Sequence, residues 1–164
     1  MNANKSNFIN SGLIDPVLDE IPLLFRNFPP DSYREFLECG TLKKFSQYSI
    51  ILSDEDKKLN SGCLIVQGEV SVHLQGVPVQ RLKSGDFLGE TFIFKKSRNP
   101  VKVRAETDGY LILFERDPIL KFFRGKGEKL FKIFVMNMLQ YQNKQLLWIH
   151  EKYVRLYKDN LGND

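Results

Sequence analysis

Gly85-Asp86-Phe87-Leu88-Gly89-Glu90-Thr91-Phe92-Ile93-Phe94, followed by Ser97-Arg98-Asn99-Pro100-Val101-Lys102-Val103-Arg104-Ala105, decides how this 164-residue chain is read. Gly89 lets the backbone turn sharply, and the residues after it read as one helical turn whose free amides would face an anion. Arg98 can add charge-assisted bonds to phosphate oxygens that amides alone do not supply. Glu90 is wrong for an anion by charge, unless it meets a neutral hydroxyl of the same ligand, and a ribose 2′-OH is such a group. Taken alone, the segment also reads as a surface turn with an incidental glutamate.

Working outward, the segment sits inside a block of β pattern. From Leu42 to Glu115, runs rich in Val, Ile, Leu, Phe and Tyr alternate with Gly, Asp, Asn, Ser and Pro turns. The expected strands are 42–45, 49–53, 63–67, 69–74, 77–82, 101–105 and 110–115, with turns at 54–62, 75–76, 84–86 and 107–109. Many short strands at such spacing suit a two-sheet sandwich or roll. Before the block, apolar clusters at helical spacing are broken by Pro22 and Pro29-Pro30, which predicts two short helices. The second would be capped by Asp31 or Ser32, with Glu35 completing a capping box, and ended by Gly40. Residues 1–12 read as a loose arm.

After the β block the helical period returns, with Asp117 as cap and Pro118 at the first position. Gly125 and Gly127 divide a short helix, 118–124, from a long one running from Glu128 to about Lys158. Within the long helix Val135, Leu139, Gln142, Leu146, Ile149, Tyr153 and Leu156 fall at alternating spacings of four and three, a seam of roughly three heptads. Two readings of the seam stand open: packing on the chain's own roll, or pairing with a second copy of the helix.

Composition narrows the class. A hydrophobic share of 42% and a charged share of 27% are globular values, and the length is that of one ordinary domain. No apolar run approaches the ~20 residues of a membrane-spanning helix, and residues 1–10 lack a signal-peptide core, so a cytoplasmic location without a membrane span is expected. Cys39 and Cys63 are expected as buried free thiols. The net charge is +4, and the stretch 121–158 is the basic part, read as a solvated helix face. No nucleophile-elbow, phosphate-loop or zinc-protease motif occurs. An enzyme on a cupin-like roll would need metal ligands, and His73 and His150 are read as surface residues. The chain is therefore expected not to be an enzyme.

Three segments in order carry a family resemblance. Cys63-Leu64-Ile65-Val66-Gln67-Gly68-Glu69-Val70 looks like an apolar strand leading into Gly-Glu-Val; Gly85 to Glu90 looks like Gly-Asp-x-x-Gly-Glu; and Val103-Arg104-Ala105 resembles the strand that follows. With helices on both sides, the chain over roughly 23–158 resembles the cyclic-nucleotide-binding domains of catabolite-activator-like regulators, kinase regulatory subunits and nucleotide-gated channels. The resemblance implies a mainly β fold with flanking helices, a double-stranded β-roll (jelly roll) ending in a long C-terminal helix. The implied organisation is an arm (1–12), a domain of N-terminal helices (13–40), roll (41–116), hinge and C-terminal helices (117–158), and a tail (159–164).

The same resemblance implies the roles of site residues. Glu90 would take the ribose hydroxyl, while Gly89 and the amides of Thr91 and Phe92 would cradle the cyclic phosphate of cAMP or cGMP. A cassette arginine would neutralise it. Relatives place that arginine nine residues after the Glu, which here is Asn99, with Arg98 one position earlier; Lys102 stands where a Thr or Ser often meets the base. Thr91 and Phe92 replace small or aliphatic residues and would narrow the pocket. Two functions follow as expectations. One is a sensor that passes nucleotide binding through Leu120, Phe122, Phe123, Leu130, Phe131 and Phe134 to a protein partner. The other is a nucleotide-independent adapter. Relatives that read DNA add a helix-turn-helix domain after the long helix, and this sequence contains none, so direct sequence-specific DNA binding is not expected. No cofactor is implied.

Overall fold

The computed structural model describes residues 8, 9, 11–53, 61–94 and 101–161. The chain begins with a short helix α1 (Asp15–Asp19), a 3-10 turn (Leu23–Phe25) and helix α2 (Pro30–Glu38). Eight strands follow: β1 (Thr41–Phe45), β2 (Ile50–Leu52), β3 (Ser61–Gln67), β4 (Val70–Leu74), β5 (Val77–Leu82), β6 (Phe87–Leu88), β7 (Val101–Ala105) and β8 (Gly109–Glu115). A second 3-10 turn (Glu90–Ile93) lies between β6 and β7, and helices α3 (Arg116–Lys126) and α4 (Glu128–Leu161) close the chain.

The strands form two four-stranded antiparallel sheets, ordered β1-β8-β3-β6 and β2-β7-β4-β5. This is a β-roll, as the alternation predicts, and all seven expected strands are present. The eighth, β6, is too short for alternation to mark. It exists through its pairing with β3, where Cys63 faces Leu88 and Leu64 faces Phe87.

One sheet is buried on both faces, and this explains the five consecutive buried residues from Gly62 to Val66. Its inner side chains, including Cys63, Ile65 and Leu111, meet Val70, Val72, Leu82, Val103 and Ala105 of the other sheet. Its outer side chains, Leu64, Val66, Phe87, Ile112 and Phe114, pack beneath the helices. There a phenylalanine cluster gathers around Phe36, with ring centroids 5.1 Å from Phe114, 5.7 Å from Phe134 and 5.9 Å from Phe123. Gly62 is needed in this layer, because a Cβ there would stand 2.6 Å from Phe87 and 2.8 Å from Phe92.

Several local expectations are corrected. Helix α2 starts at Pro30 with Pro29 as its cap, and neither Asp31 nor Ser32 makes a cap bond; the fixed proline φ starts the helix instead. Helix α3 starts at Arg116, ahead of the expected Asp117 cap, and runs through Gly125 to Lys126. Gly127, at φ 80°, is the actual break. Phe8 and Ile9 belong to the core, so the arm is not loose at those positions. Helix α4 continues through Asp159 to Leu161, past the expected start of the tail.

Candidate functional site

Gly89 sets the geometry of the cassette. It has φ 74°, and a Cβ there would lie 2.9 Å from the carbonyl oxygen of Ser61, so any side chain meets both backbone strain and the start of β3. The turn that follows is closed by the Phe92 amide, which donates to Gly89 O at 2.9 Å. The Phe92 amide, expected to face a phosphate, is here used inside the turn. The Phe92 ring is also in the core, 6.3 Å from that of Phe87, and does not narrow a ligand cavity. Arg98 and Asn99 lie outside the described residues, as do the side chains of Glu90 and Thr91.

Lys102 lies on the exposed face of β7. Along β7, Val103 and Ala105 are buried between the sheets while Lys102 is exposed and sits opposite His73 of β4. The strand alternation therefore turns Lys102 to the outer face of the roll, opposite the face that Val103 and Ala105 bury between the sheets. The outer face carries its own polar group. The Ser71 hydroxyl lies 2.5 Å from Glu106 Oε1 and 2.8 Å from His73 Nε2, and Arg104 lies 3.2 Å from the same carboxylate oxygen. With one proton to give, the hydroxyl donates to Glu106 and accepts from the histidine N–H. The Ser71 bond, then Arg104 and Arg81, hold the Glu106 carboxyl below its ordinary range.

Beside the cassette, β5 and the turn before β6 face α4 across a cavity of about 200 Å³, lined by Gln80, Arg81, Asp86, Tyr141, Lys144, Gln145 and Trp148. Two contacts bind its walls. Gln80 Nε2 donates to Gln145 Oε1 at 2.9 Å. The buried hydroxyl of Tyr141 donates to Phe87 O at 2.8 Å and accepts from Phe87 N at 3.2 Å, clasping the main chain two residues before Gly89. Sequence reading missed Tyr141 and Gln80, because a tyrosine on a helix and a glutamine on a strand give no signal until the two elements are brought together.

Helix α4 turns one face to the body: Leu130, Phe134, Asn137, Met138 and Tyr141 are buried. Asn137 Nδ2 donates to Arg26 O at 2.6 Å and Leu24 O at 3.2 Å, which ties α4 to the first 3-10 turn. The expected hinge contacts are apolar neighbours of this core, with Phe123, Leu130 and Phe134 buried and Leu120, Phe122 and Phe131 packed against them. The seam residues lie elsewhere. Val135 is half-buried, and Leu139, Leu146, Ile149, Tyr153 and Leu156 are exposed, so the seam is not the face that covers the roll.

Among the described residues no cluster of three metal-ligating side chains occurs, and no helix is long and apolar enough to cross a membrane. Neither Cys39 nor Cys63 is in a disulfide; Cys63 is buried as expected, while Cys39 is only half-buried at the end of α2.

The roll, its cassette turn and the helix laid against it define a class. The family model of the cyclic nucleotide-binding domain matches residues 42–126, just over half of the chain, and the chain belongs to that family. A cGMP-dependent 3′,5′-cGMP phosphodiesterase A of Dictyostelium discoideum is 27% identical over 107 residues, covering 65% of this chain and 12% of that protein. Thus the chain spans a small part of this relative's length. Among solved structures, the Thermus thermophilus catabolite activator protein superposes with a TM-score of 0.66 at 19% identity, over 82% of this chain and 62% of that one. The PKAR CBD2 domain with bound Sp-2Cl-cAMPS superposes with a TM-score of 0.57 at 16% identity, over 79% and 86%. At these identities the structural likenesses concern the fold.

Proposed function

We propose that this domain is a non-enzymatic regulatory module that binds cAMP or cGMP at the cassette and passes the change through α4 to a protein partner, the first such partner being a second copy of the chain. The observation that carries this reading is the Tyr141 clasp: the strand leading into the cassette and the long helix share a buried pair of hydrogen bonds through one side chain. A ligand that moves Gly89 and Glu90 must either keep that pair or break it, and α4 registers the difference. Glu90 takes the ribose hydroxyl and Arg98 the phosphate charge in this reading, with the Arg81 and Lys144 cations lining the adjacent cavity. The shift produced is limited to the ligand's difference in affinity for the two arrangements.

The exposed seam supports the second copy. Leu139, Leu146, Ile149, Tyr153 and Leu156 recur at heptad spacing on a helical face that the roll does not cover. The alternative, a nucleotide-independent adapter, is favoured by two observations: the Phe92 amide is used within its own turn, and Lys102 faces outward.

Thermal unfolding with and without millimolar cAMP and cGMP separates the readings, since a ligand at about 100 times its Kd stabilises the fold by roughly 2.7 kcal/mol. The sensor predicts an upward shift with one nucleotide that Glu90→Ala removes. No shift with either nucleotide makes the adapter the reading to pursue.

A further inference from the structure

Beside the seam, the distal half of α4 carries a second stripe at heptad spacing. Asn143, Leu147, His150, Val154 and Tyr157 follow at intervals of four, three, four and three, each one residue after Gln142, Leu146, Ile149, Tyr153 and Leu156 of the seam. One residue is a turn of about 100° around a helix, so the two stripes run side by side. All five residues of the second stripe are exposed, Leu147 at 54% and Val154 at 50%, as open as Leu146 and Ile149 of the seam. His150 follows the buried Tyr141 by nine residues, about half a turn around the axis, so this stripe looks away from the domain's own body.

A helix in a two-stranded pair has one neighbour and buries one such stripe. Each helix of a closed bundle has two neighbours, seen from it at ~60° in a bundle of three and ~90° in a bundle of four. Stripes about 100° apart fit the bundle of four. We propose that two seam-paired copies dock onto another such pair through Leu147, Val154 and Tyr157, so that the distal halves of α4 form a four-helix bundle, a closed dimer of dimers. This rests on the seam being a self-pairing surface. Along the flank of the second stripe Lys144, Glu151 and Lys158 alternate in sign at heptad intervals, a pattern that an antiparallel copy complements by setting Glu151 against a lysine. A lipid surface fits this less well, because interfacial helices carry a polar face rich in Lys and Arg and this flank is mixed in sign. Asn143 and His150 sit one heptad apart within the stripe, polar positions of the kind that fix register at a cost in stability. The docking of pairs is therefore weaker than the pairing within them and needs a higher concentration.

The test is sedimentation of the full chain at rising concentration, where the unaltered chain is expected to pass from two copies to four. Leu147→Lys with Val154→Lys changes two exposed positions outside the seam and should hold the chain at two copies, with an unchanged chemical-denaturation midpoint showing that it folds. Leu147→Ala with Val154→Ala, a milder change, should move the two-to-four step to higher concentration. An unaltered chain that stops at two copies overturns the four-helix docking and leaves the seam pairing standing; one that stays monomeric overturns both. Four copies that persist in the lysine variant overturn the docking as well. Vesicles of phosphatidylserine and phosphatidylcholine check the other occupant: binding by the unaltered chain that the lysine variant loses, with no four-copy species in solution, overturns the proposal in favour of a lipid surface.

Discussion

Between Leu130 and Tyr141, α4 buries Leu130, Phe134, Met138 and Tyr141 against the body; between Leu146 and Tyr157 its large apolar side chains other than the half-buried Trp148, from Leu146 at 50% to Tyr153 at 68%, face solvent. The two stretches use similar residues, and what separates them is reach. At 34 residues the helix is ~50 Å long, more than the roll and its N-terminal helices can cover. The proximal half therefore belongs to the domain's own core and the distal half needs something else to bury it. Sequence hydrophobicity alone assigns both to an interface without saying which.

The comparison can be broken from its strong side first. Phe134 has no exposed surface and lies within 6.5 Å, ring to ring, of Phe25, Phe28, Phe36 and Phe123, so Phe134→Ala should cost ~3–5 kcal/mol in chemical denaturation. A loss below about 1 kcal/mol would mean that the proximal half is not part of the cooperative fold.

Tyr141→Phe is a finer cut at the same half. It keeps the ring and removes the hydroxyl, leaving the Phe87 N–H and C=O unsatisfied, at a cost of ~1–3 kcal/mol. If α4 reports on the cassette through this contact, the variant should also uncouple nucleotide binding from any change in the distal helix, read by hydrogen exchange over 146–157. Retained coupling would place the transmission elsewhere.

The distal half should behave in the reverse way. Leu146→Lys with Ile149→Lys changes two exposed positions and should leave the stability of the monomer within ~0.5 kcal/mol. Its effect should appear in assembly: sedimentation should show two copies for the unaltered chain and one for the double variant. An unaltered chain that stays monomeric at high concentration removes the second copy as the partner of the seam.

The roll was legible because short runs of Val, Ile, Leu, Phe and Tyr separated by Gly/Asp turns are local signals, whereas the burial of 62–66 on both faces came only with the packed sheets. Its cassette was legible only as a pattern. That Phe92 closes its own turn, and that Lys102 points outward, follow from the β7 register and from the packing of Phe92 on Phe87, neither of which a linear string contains. The helix caps failed for a related reason: prolines and preceding strands fixed where α2 and α3 begin before side-chain caps could.

On α4, Phe134, Met138 and Tyr141 repeat at helical spacing one residue behind Val135, Leu139 and Gln142, a turn of about 100° around the axis. The sequence by itself determined that the helix carries apolar residues at heptad spacing, that a roll of short strands precedes it, and that a Gly-Glu turn interrupts that roll, because all three are periodicities or local backbone preferences. Only the tertiary structure decided which stripe meets the roll and that Tyr141 reaches the chain before Gly89. Those are distances between residues far apart in the chain, fixed by how whole elements pack.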